Sequence, residues 1–261
     1  MLPDFKLVKH QFLDRPDIEI WPVFDAHLGA AEHNADAWGK FCRMIMGREN
    51  AYIILGGDLI NNATRSSVSN IFEETMSPSA QKKAIVEMLE PLKDRILCST
   101  GGNHERRSEK DADYDPAYDI MCKLDCEHLY RKNMAFLKIK MGEERTAGER
   151  NPTYMFCVTH GAGGGVKYGG AANKAVDYGY TLSGVDCLIV GHTHKPFVTS
   201  PAQIVVSGQH DMAYVRPFYV VNATAWMNYG GYAMQKMLPP SSIKPQVIKL
   251  YGKHKQIEVT M

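Results

Sequence analysis

The sequence predicts an α/β protein in which a largely parallel sheet carries helices and a second, more antiparallel sheet packs on it. Three observations support this class. Short apolar runs alternate with helical patterns through the first half of the 261 residues. Along the whole chain, polar motifs directly follow five apolar runs, as they do at the carboxyl ends of strands in α/β proteins. The tail contains short apolar runs separated by turns, which is typical of strands.

The first half supplies three predicted strands and two predicted helices. The strands cover residues 18–24, 51–55 and 95–100, and the helices cover residues 34–48 and 79–94. Pro22 favours an edge position or a bend in the first strand, because proline cannot donate to a central ladder. Asn34 is the expected cap of the first helix. Pro91 predicts a break or kink in the second.

The second half is predicted to be richer in strands. Residues 111–131 are polar and partly helical in this interpretation, and residues 61–69, 142–151 and the glycine-rich 161–170 are loops. Strands are predicted at 136–140, 154–159 and 187–190, then in short runs near residues 197, 204, 218, 247 and 257. Because no repeat or low-complexity linker divides the chain, we expect a single domain over residues 1–261.

Composition narrows the classes of protein to consider. Hydrophobic residues are 44% and charged residues 23% of the chain, as in ordinary globular proteins. No apolar run reaches the roughly 20 residues of a membrane span, and the first residues lack the pattern of a signal peptide. We therefore expect a cytoplasmic protein without a membrane partner. The net charge of +1 lacks the basic excess typical of nucleic-acid binding, although a local basic cleft stays open.

The cysteines favour a reduced protein. Six are present and none form a Cys-x-x-Cys pair. Cys98, Cys157 and Cys187 lie inside apolar runs, where a free cysteine acts as a small hydrophobic residue. Cys122 and Cys126 could share a helical face, but a zinc site would need two more ligands. We expect reduced, structural cysteines.

Five polar motifs carry the chemistry. They are Asp25-Ala-His27, Gly57-Asp58, Gly102-Asn-His-Glu105, Thr159-His160-Gly161 and Gly191-His-Thr-His194. Carboxylates, imidazoles and an amide together suit divalent ions such as Mn²⁺, Fe²⁺ or Zn²⁺. The set is too large for one ion with open positions and suits two ions that share a carboxylate.

Local geometry adds two expectations. His192 and His194 on an extended segment would point to opposite sides, so that each could serve a different ion. Asp25 and His27 cannot lie on one face of an extended strand. A turn must therefore bring them together, and Gly29 is consistent with such a turn.

The order and content of these motifs resemble the calcineurin-like metallophosphoesterase superfamily, over residues 18 to about 196. The resemblance implies a four-layer α/β/β/α sandwich of two mixed sheets. It also implies two divalent ions, Mn²⁺ first and Fe, Zn or Ni as alternatives. The implied ligands of one ion are Asp25, His27, Asp58 and His194. Those of the second are Asp58, Asn103, His160 and His192, so that Asp58 bridges.

A reaction follows from such a pair of ions. They lower the pKa of a bridging water, so that a hydroxide can attack phosphorus at neutral pH. His104 is not needed as a ligand, and we assign it as the general acid that protonates the leaving oxygen. Asp58 is the second expected catalytic residue, through the ions it bridges. No serine or cysteine nucleophile is required.

The sequence leaves the substrate open. The short motifs around Asp25 and Asp58 resemble those of the double-strand-break-repair nucleases. Gly-Asn-His-Glu is similar to the Ser/Thr protein phosphatases, but Asn61 and Asn62 replace the Asp and Arg found in those enzymes. We expect a phosphodiesterase acting on a nucleotide or nucleic acid. A phosphomonoesterase is the alternative, a non-enzymatic scaffold is a third reading, and the oligomeric state is open.

Several residues keep two interpretations. Glu105 could orient His104 or cap a helix. Arg65, Arg106 and Arg107 could bind phosphate or form a solvated basic face. The loop 161–170 could approach the substrate or only contain left-handed glycines. The histidines outside the motifs are expected to be structural, and they are His10, His33, His128, His210 and His254.

Overall fold

The chain folds into two six-stranded mixed sheets with helices, as a two-sheet α/β sandwich. The predicted fold class is therefore confirmed. The computed structural model describes residues 3–65, 67, 71–142, 150–163, 167–209 and 211–261. His210 and parts of the predicted loops 61–69, 142–151 and 161–170 lie outside these residues.

The helices and strands have the following bounds. The α-helices are α1 (Ala35–Met46), α2 (Pro78–Leu89), α3 (Glu105–Ala112), α4 (Pro116–Lys123), α5 (Tyr168–Tyr180) and α6 (Gly231–Gln235). The strands are β1 (Val8–Phe12), β2 (Asp17–Val23), β3 (Ala51–Leu55), β4 (Ile96–Thr100), β5 (Tyr130–Arg131), β6 (Met134–Met141), β7 (Thr153–Thr159), β8 (Cys187–Val190), β9 (Phe197–Thr199), β10 (Ala202–Ser207), β11 (Met212–Pro217), β12 (Tyr219–Asn222), β13 (Val247–Tyr251) and β14 (Ile257–Thr260).

The first sheet has the order β14-β13-β2-β3-β4-β5, in which β2 to β5 run parallel. Pro22 lies in the second-last position of β2, a central strand, so the expected edge position is wrong. The pairing of β2 with β13 ends at Ile20, and Pro22 is paired only with Ile54 of β3. The absent proline N–H therefore breaks no bond to β13.

The second sheet has the order β1-β6-β7-β8-β12-β9. It is mixed, because β7, β8 and β12 run parallel and β1 is parallel to β6, while β6 is antiparallel to β7 and β9 is antiparallel to β12. The tail strands do not form this sheet alone, in contrast to the expectation. β12 and β9 extend it, whereas β13 and β14 extend the first sheet. The remaining pair, β10 and β11, is a separate hairpin.

The predicted helix signals are confirmed in three places. Asn34 caps α1, and its Oδ1 accepts a hydrogen bond from the Ala37 N–H at 2.9 Å. The helix α2 gives way to the 3₁₀ turn Glu90–Arg95, which begins just before Pro91. The polar stretch 111–131 contains α4. The range predicted for the loop 161–170 extends too far, because α5 begins at Tyr168.

The main core lies between the sheets and joins residues of both, such as Ile53 of β3 and Phe156 of β7, which are fully buried. A smaller core forms where α5 packs on the second sheet, around Ala175, Leu188 and Phe218. Burial of this apolar surface fixes both sheets face to face. The two sets of strand ends that carry the motifs are therefore held together at one edge.

Two sequence expectations on cysteines and membranes can be compared with the fold. All six cysteines are free, and all except Cys122 are buried. Among the described helices, none has the length and apolar character needed to cross a membrane.

Candidate metal centre

Polar loops from both sheets converge at one edge of the sandwich. Asp25 and His27 follow β2, Asp58 follows β3, and Asn103 and His104 follow β4. From the second sheet, His160 follows β7, and His192 and His194 follow β8. Because β2, β3 and β4 run parallel, as do β7 and β8, these residues emerge at carboxyl ends of strands.

The side-chain atoms that could ligate a metal form three overlapping groups, within each of which they lie no more than 4.8 Å apart. The groups are Asp25–His27–His194, His27–Asp58–His104 and Asp58–His160–His192. Asp58 belongs to two of them, which is the position required of a shared ligand. Its Oδ2 lies 3.2 Å from His160 Nε2 and 3.9 Å from His27 Nε2.

The predicted amide ligand lies beside the third group. Asn103 Oδ1 is 3.0 Å from His160 Nε2. All seven predicted ligands are therefore brought to one place. His192 and His194 belong to different groups, as expected from their spacing, but the expected extended backbone is wrong. Their φ angles are 67° and 52°, so both residues are left-handed.

Left-handed backbone recurs at the predicted ligands. Asp25, His27 and Asp58 have φ angles of 51°, 46° and 51°. Such angles are uncommon outside glycine and cluster where function demands a particular geometry. In Asp25-Ala-His27 they supply the expected turn, which brings both side chains to one side. Gly29, with a φ of 101°, completes that turn.

Several atoms have the environment of cation ligands. Asp25 Oδ1 is buried and makes no hydrogen bond, an expensive state for a carboxylate unless a cation satisfies it. His27 Nε2 and His194 Nε2 lie 3.1 Å apart, and both face Asp25 Oδ1. His160 places its Nδ1 2.8 Å from the Gly56 carbonyl oxygen, which orients Nε2 towards Asp58. These residues fit divalent ions.

The carboxylates and imidazoles perturb one another strongly. Burial alone would raise the pKa of Asp25 and Asp58, but neighbouring histidines hold both pKa values below the ordinary range. Burial alone would lower the pKa of His160, but the Asp58 carboxylate raises it to about 10. Burial, followed by the nearby His104, lowers the pKa of His27 well below its usual value.

These shifts predict proton release when the centre takes up metal. At pH 8, the metal-free protein holds a proton on His160 and none on His27. A metal ion needs the lone pair of Nε2, so binding should release about one proton from His160. Affinity should therefore rise with pH up to about 10, the pKa of His160. Calorimetry of Mn²⁺ binding in buffers of different ionisation enthalpy measures this proton, and the His160→Gln variant should lack it.

Glu105 holds two of the ligand loops together. Its Oε1 accepts from the Leu59 N–H at 2.8 Å, and its Oε2 accepts from Asp58 and Gly102 at 2.9 and 3.0 Å. Burial, then Asp58, raise the pKa of Glu105 to about 7, while its N–H donors stabilise the carboxylate. Neither sequence interpretation describes this role fully. The hydrogen bond from the Gly102 N–H resembles a helix cap. The bonds from Asp58 and Leu59 tie the loop after β3 to the loop after β4.

His104 is the N-cap residue of α3 and lies beside Asp58, with its Nε2 3.8 Å from Asp58 Oδ2. The ring is held from both sides. Nδ1 lies 2.7 Å from the Asn61 carbonyl oxygen, and Nε2 lies 2.9 Å from Arg107 Nη2. Because arginine only donates, Nε2 accepts and Nδ1 carries the proton. Burial lowers the pKa of His104, Asp58 opposes this effect and Arg107 adds to it.

The three candidate arginines have different surroundings. Arg107 reaches the centre, with Nη1 3.0 Å from the Asn61 carbonyl oxygen. Arg106 points away and donates to Asn133 Oδ1 at 3.1 Å. Arg65 lines a separate cleft of about 410 Å³ with Glu74 and Met76.

Two residues near the centre have roles that the sequence interpretation did not assign. His33 Nδ1 lies 2.7 Å from the carbonyl oxygen of Ala26, between two ligands. Asn62, left-handed at φ 45°, donates to the His104 carbonyl oxygen at 2.8 Å. The spacing of His104 and Arg107 is the one available signal for Arg107, because residues three apart are neighbours on a helix. His33 has no comparable signal.

Comparisons with known proteins show a distant similarity in structure and none in sequence. No protein-family model and no curated protein sequence matches the chain. Among solved structures, the chain is similar to the NAD nucleotidase NadN of Haemophilus influenzae, with 10% sequence identity and a TM-score of 0.38. The match covers 94% of this chain and 49% of that structure, so the chain spans about half of its length.

Proposed function

We propose that the chain is a metal-dependent phosphoesterase with two divalent ions, and that it hydrolyses a phosphodiester of a nucleotide or nucleic acid. We further propose Mn²⁺ as the preferred ion and one domain over residues 1–261. The six free cysteines support a reducing compartment, in line with the expected cytoplasmic location.

One observation carries the proposal. Oxygen and nitrogen donors from five loops of two sheets face one another around Asp58, which is 1% exposed. Two buried carboxylates and four imidazoles in contact add no apolar burial to the core, and removing these polar groups from water is costly in the metal-free chain. Divalent cations would satisfy all of them. The proposed ligands are Asp25, His27, Asp58, Asn103, His160, His192 and His194.

Bound ions of this kind acidify a coordinated water and offset charge on phosphoryl oxygens. The chain contributes the positioning. Glu105 fixes the Asp58 loop, Gly56 orients His160, and the His104 N–H donates to Asp58 Oδ1 at 2.8 Å. The Asp58 carboxylate is thereby directed towards the imidazoles on both sides of it.

The substrate class is tested by three assays run side by side. We expect turnover of a bis-aryl phosphate to exceed that of the matching aryl monoester under Mn²⁺, with loss in chelator and recovery on adding the ion. Single- and double-stranded DNA complete the comparison, at low and moderate salt. A protein that is inactive on all of these with two ions bound would instead be a scaffold.

A phosphomonoesterase is the second candidate, and one observation favours it. A monoester dianion needs an extra cationic group, and Arg107 places a half-buried guanidinium beside His104. A monoester rate above the diester rate would select this alternative.

We propose His104 as the general acid, acting once its Nε2 is released from Arg107 and protonated. An aryl oxide leaves without a proton, whereas a ribose alkoxide does not. The His104→Ala variant should therefore keep both ions and most of its rate on an aryl diester, and lose about 10²–10⁴-fold on a nucleotide diester. The measurement is kcat/KM on both substrates beside metal content. An equal loss on both would make His104 a phosphate-positioning group.

A further inference from the structure

The guanidinium of Arg107 lies one imidazole ring away from Asp58. Its Nη2 donates to His104 Nε2 at 2.9 Å. The His104 Nε2 atom in turn lies 3.8 Å from Asp58 Oδ2. Its Nη1 donates to the Asn61 carbonyl oxygen at 3.0 Å. The arginine therefore borders the centre on the side of the loop that follows Asp58.

Arg107 has the surroundings of a cation that lacks its anion. The two polar contacts above are to a neutral ring nitrogen and a carbonyl oxygen, and across the described ranges the guanidinium forms no ion pair. Arg216, which is also partly buried, differs. It pairs with Asp186 at 2.9 Å and also donates to the Val185 carbonyl oxygen, as a structural arginine does.

An unpaired, half-buried charge costs desolvation free energy, and no ion pair of Arg107 among the described residues offsets this cost. The nearest carboxylates, Asp58, Glu74 and Glu105, influence Arg107 only through space. Asp58 and Glu105 are engaged by backbone N–H groups, and Glu74 is engaged by Asn61 and Gln81. The guanidinium of Arg107 thus points at the centre, and in the part of the chain that the structure describes no charged group accepts a hydrogen bond from it.

We propose that Arg107 is the phosphate-binding residue of this site and binds a non-bridging oxygen of the substrate phosphoryl group. The inference rests on the proposed phosphoesterase function. A planar guanidinium can reach two phosphoryl oxygens with parallel N–H bonds, which fits a tetrahedral anion. The loop after Asp58 has Asn61 and Asn62 and therefore offers no arginine for the phosphate. Arg107 provides the cation from the helix α3 instead.

The proposal has a consequence for His104. When Arg107 turns to the phosphoryl oxygen, Nη2 leaves His104 Nε2, which is then free to take up a proton. The same movement would therefore bind the substrate and release the proposed acid. Arg107 acts here on the phosphoryl group and is not itself a proton donor, because arginine stays charged.

Inorganic phosphate and three variants test the proposal on the Mn²⁺-loaded protein. The matched control is Arg106→Gln, which removes a neighbouring arginine of the same helix that donates to Asn133. Calorimetry should show phosphate binding about 10–100-fold weaker in Arg107→Gln than in wild type or Arg106→Gln, as expected for a lost charge-assisted pair. Arg107→Lys should fall between them, because it keeps the charge without the fork.

The readouts separate this inference from the proposed function. Metal content and the thermal midpoint establish that each variant is folded and loaded. Equal phosphate affinity in wild type and Arg107→Gln, or an equal loss in Arg106→Gln, overturns the inference even if the enzyme is active. If phosphate binding depends on Arg107 but no phosphoester is turned over, the anion site stands and the proposed function fails. With an active enzyme, Arg107→Gln should chiefly raise KM.

Discussion

The Asp58→Ala variant is expected to lose metal at both positions and to lose at least about 10³-fold in activity. Asp58 belongs to two of the three ligand groups, so its removal takes a carboxylate from each proposed ion. Metal ions contribute several kcal/mol to phosphoryl-transfer transition states, and about 1.4 kcal/mol corresponds to a tenfold rate change. Elemental analysis beside kcat/KM is the measurement.

Two further variants separate loss of charge from collapse of the loop. Asp58→Asn keeps an oxygen for the His104 N–H and tolerates left-handed backbone, so it should weaken both ions while the fold persists. Asp186→Asn removes a buried carboxylate that pairs with Arg216 and Lys255, away from the centre. It should retain both ions. Full occupancy of two ions in Asp58→Ala would overturn the bridging assignment.

The Glu105→Ala variant is expected to lose roughly 3–5 kcal/mol of unfolding free energy in the metal-free protein. The change leaves the N–H groups of Asp58, Leu59 and Gly102 buried without an acceptor, at about 1–3 kcal/mol for each. Urea denaturation measured by circular dichroism gives the difference. The same variant should bind Mn²⁺ more weakly, because the loop that carries Asp58 is no longer fixed to the loop that carries Asn103.

Glu109→Ala is the matched control for this experiment. Glu109 lies on the same helix and pairs with Lys132 at 2.8 Å near the surface. Such pairs contribute about 0–1 kcal/mol, so the variant should remain close to wild type. A Glu105→Ala protein within about 1 kcal/mol of wild type would show that solvent or other groups satisfy the three N–H donors.

The position of the centre could be predicted because motif order and strand order agree. Each motif directly follows an apolar run, and the runs before Asp25, Asp58 and Asn103 proved to be the adjacent parallel strands β2, β3 and β4. Carboxyl ends of parallel strands share one edge, so proximity in space follows from adjacency in the sheet. The sheet to which each tail strand belongs was harder to predict, because a short apolar run such as 247–250 does not encode which sheet it joins.

Other features were hidden for definite physical reasons. The strand β1 has three polar residues in a row, Lys9, His10 and Gln11, and lies at a sheet edge, so its sequence resembles a loop. Tyr168-Gly-Gly170 has poor helix propensity, yet it begins α5, which is held by packing on the second sheet. Arg107 could not be distinguished from Arg106 by residue type. Only the direction of each side chain on α3 separates them.

The left-handed backbone at the proposed ligands lowers the stability of the metal-free chain and serves the geometry of the centre. At Asp25, His27, Asp58, His192 and His194 the chain accepts conformations that glycine would adopt without strain. It also holds two buried carboxylates together. Glycine at a proposed ligand such as His27 would relieve up to about 1 kcal/mol of backbone strain in the metal-free chain, whereas loss of the buried imidazole would cost packing. Engineering that selects only for heat resistance in chelator would reward relief of this strain and would not retain the centre.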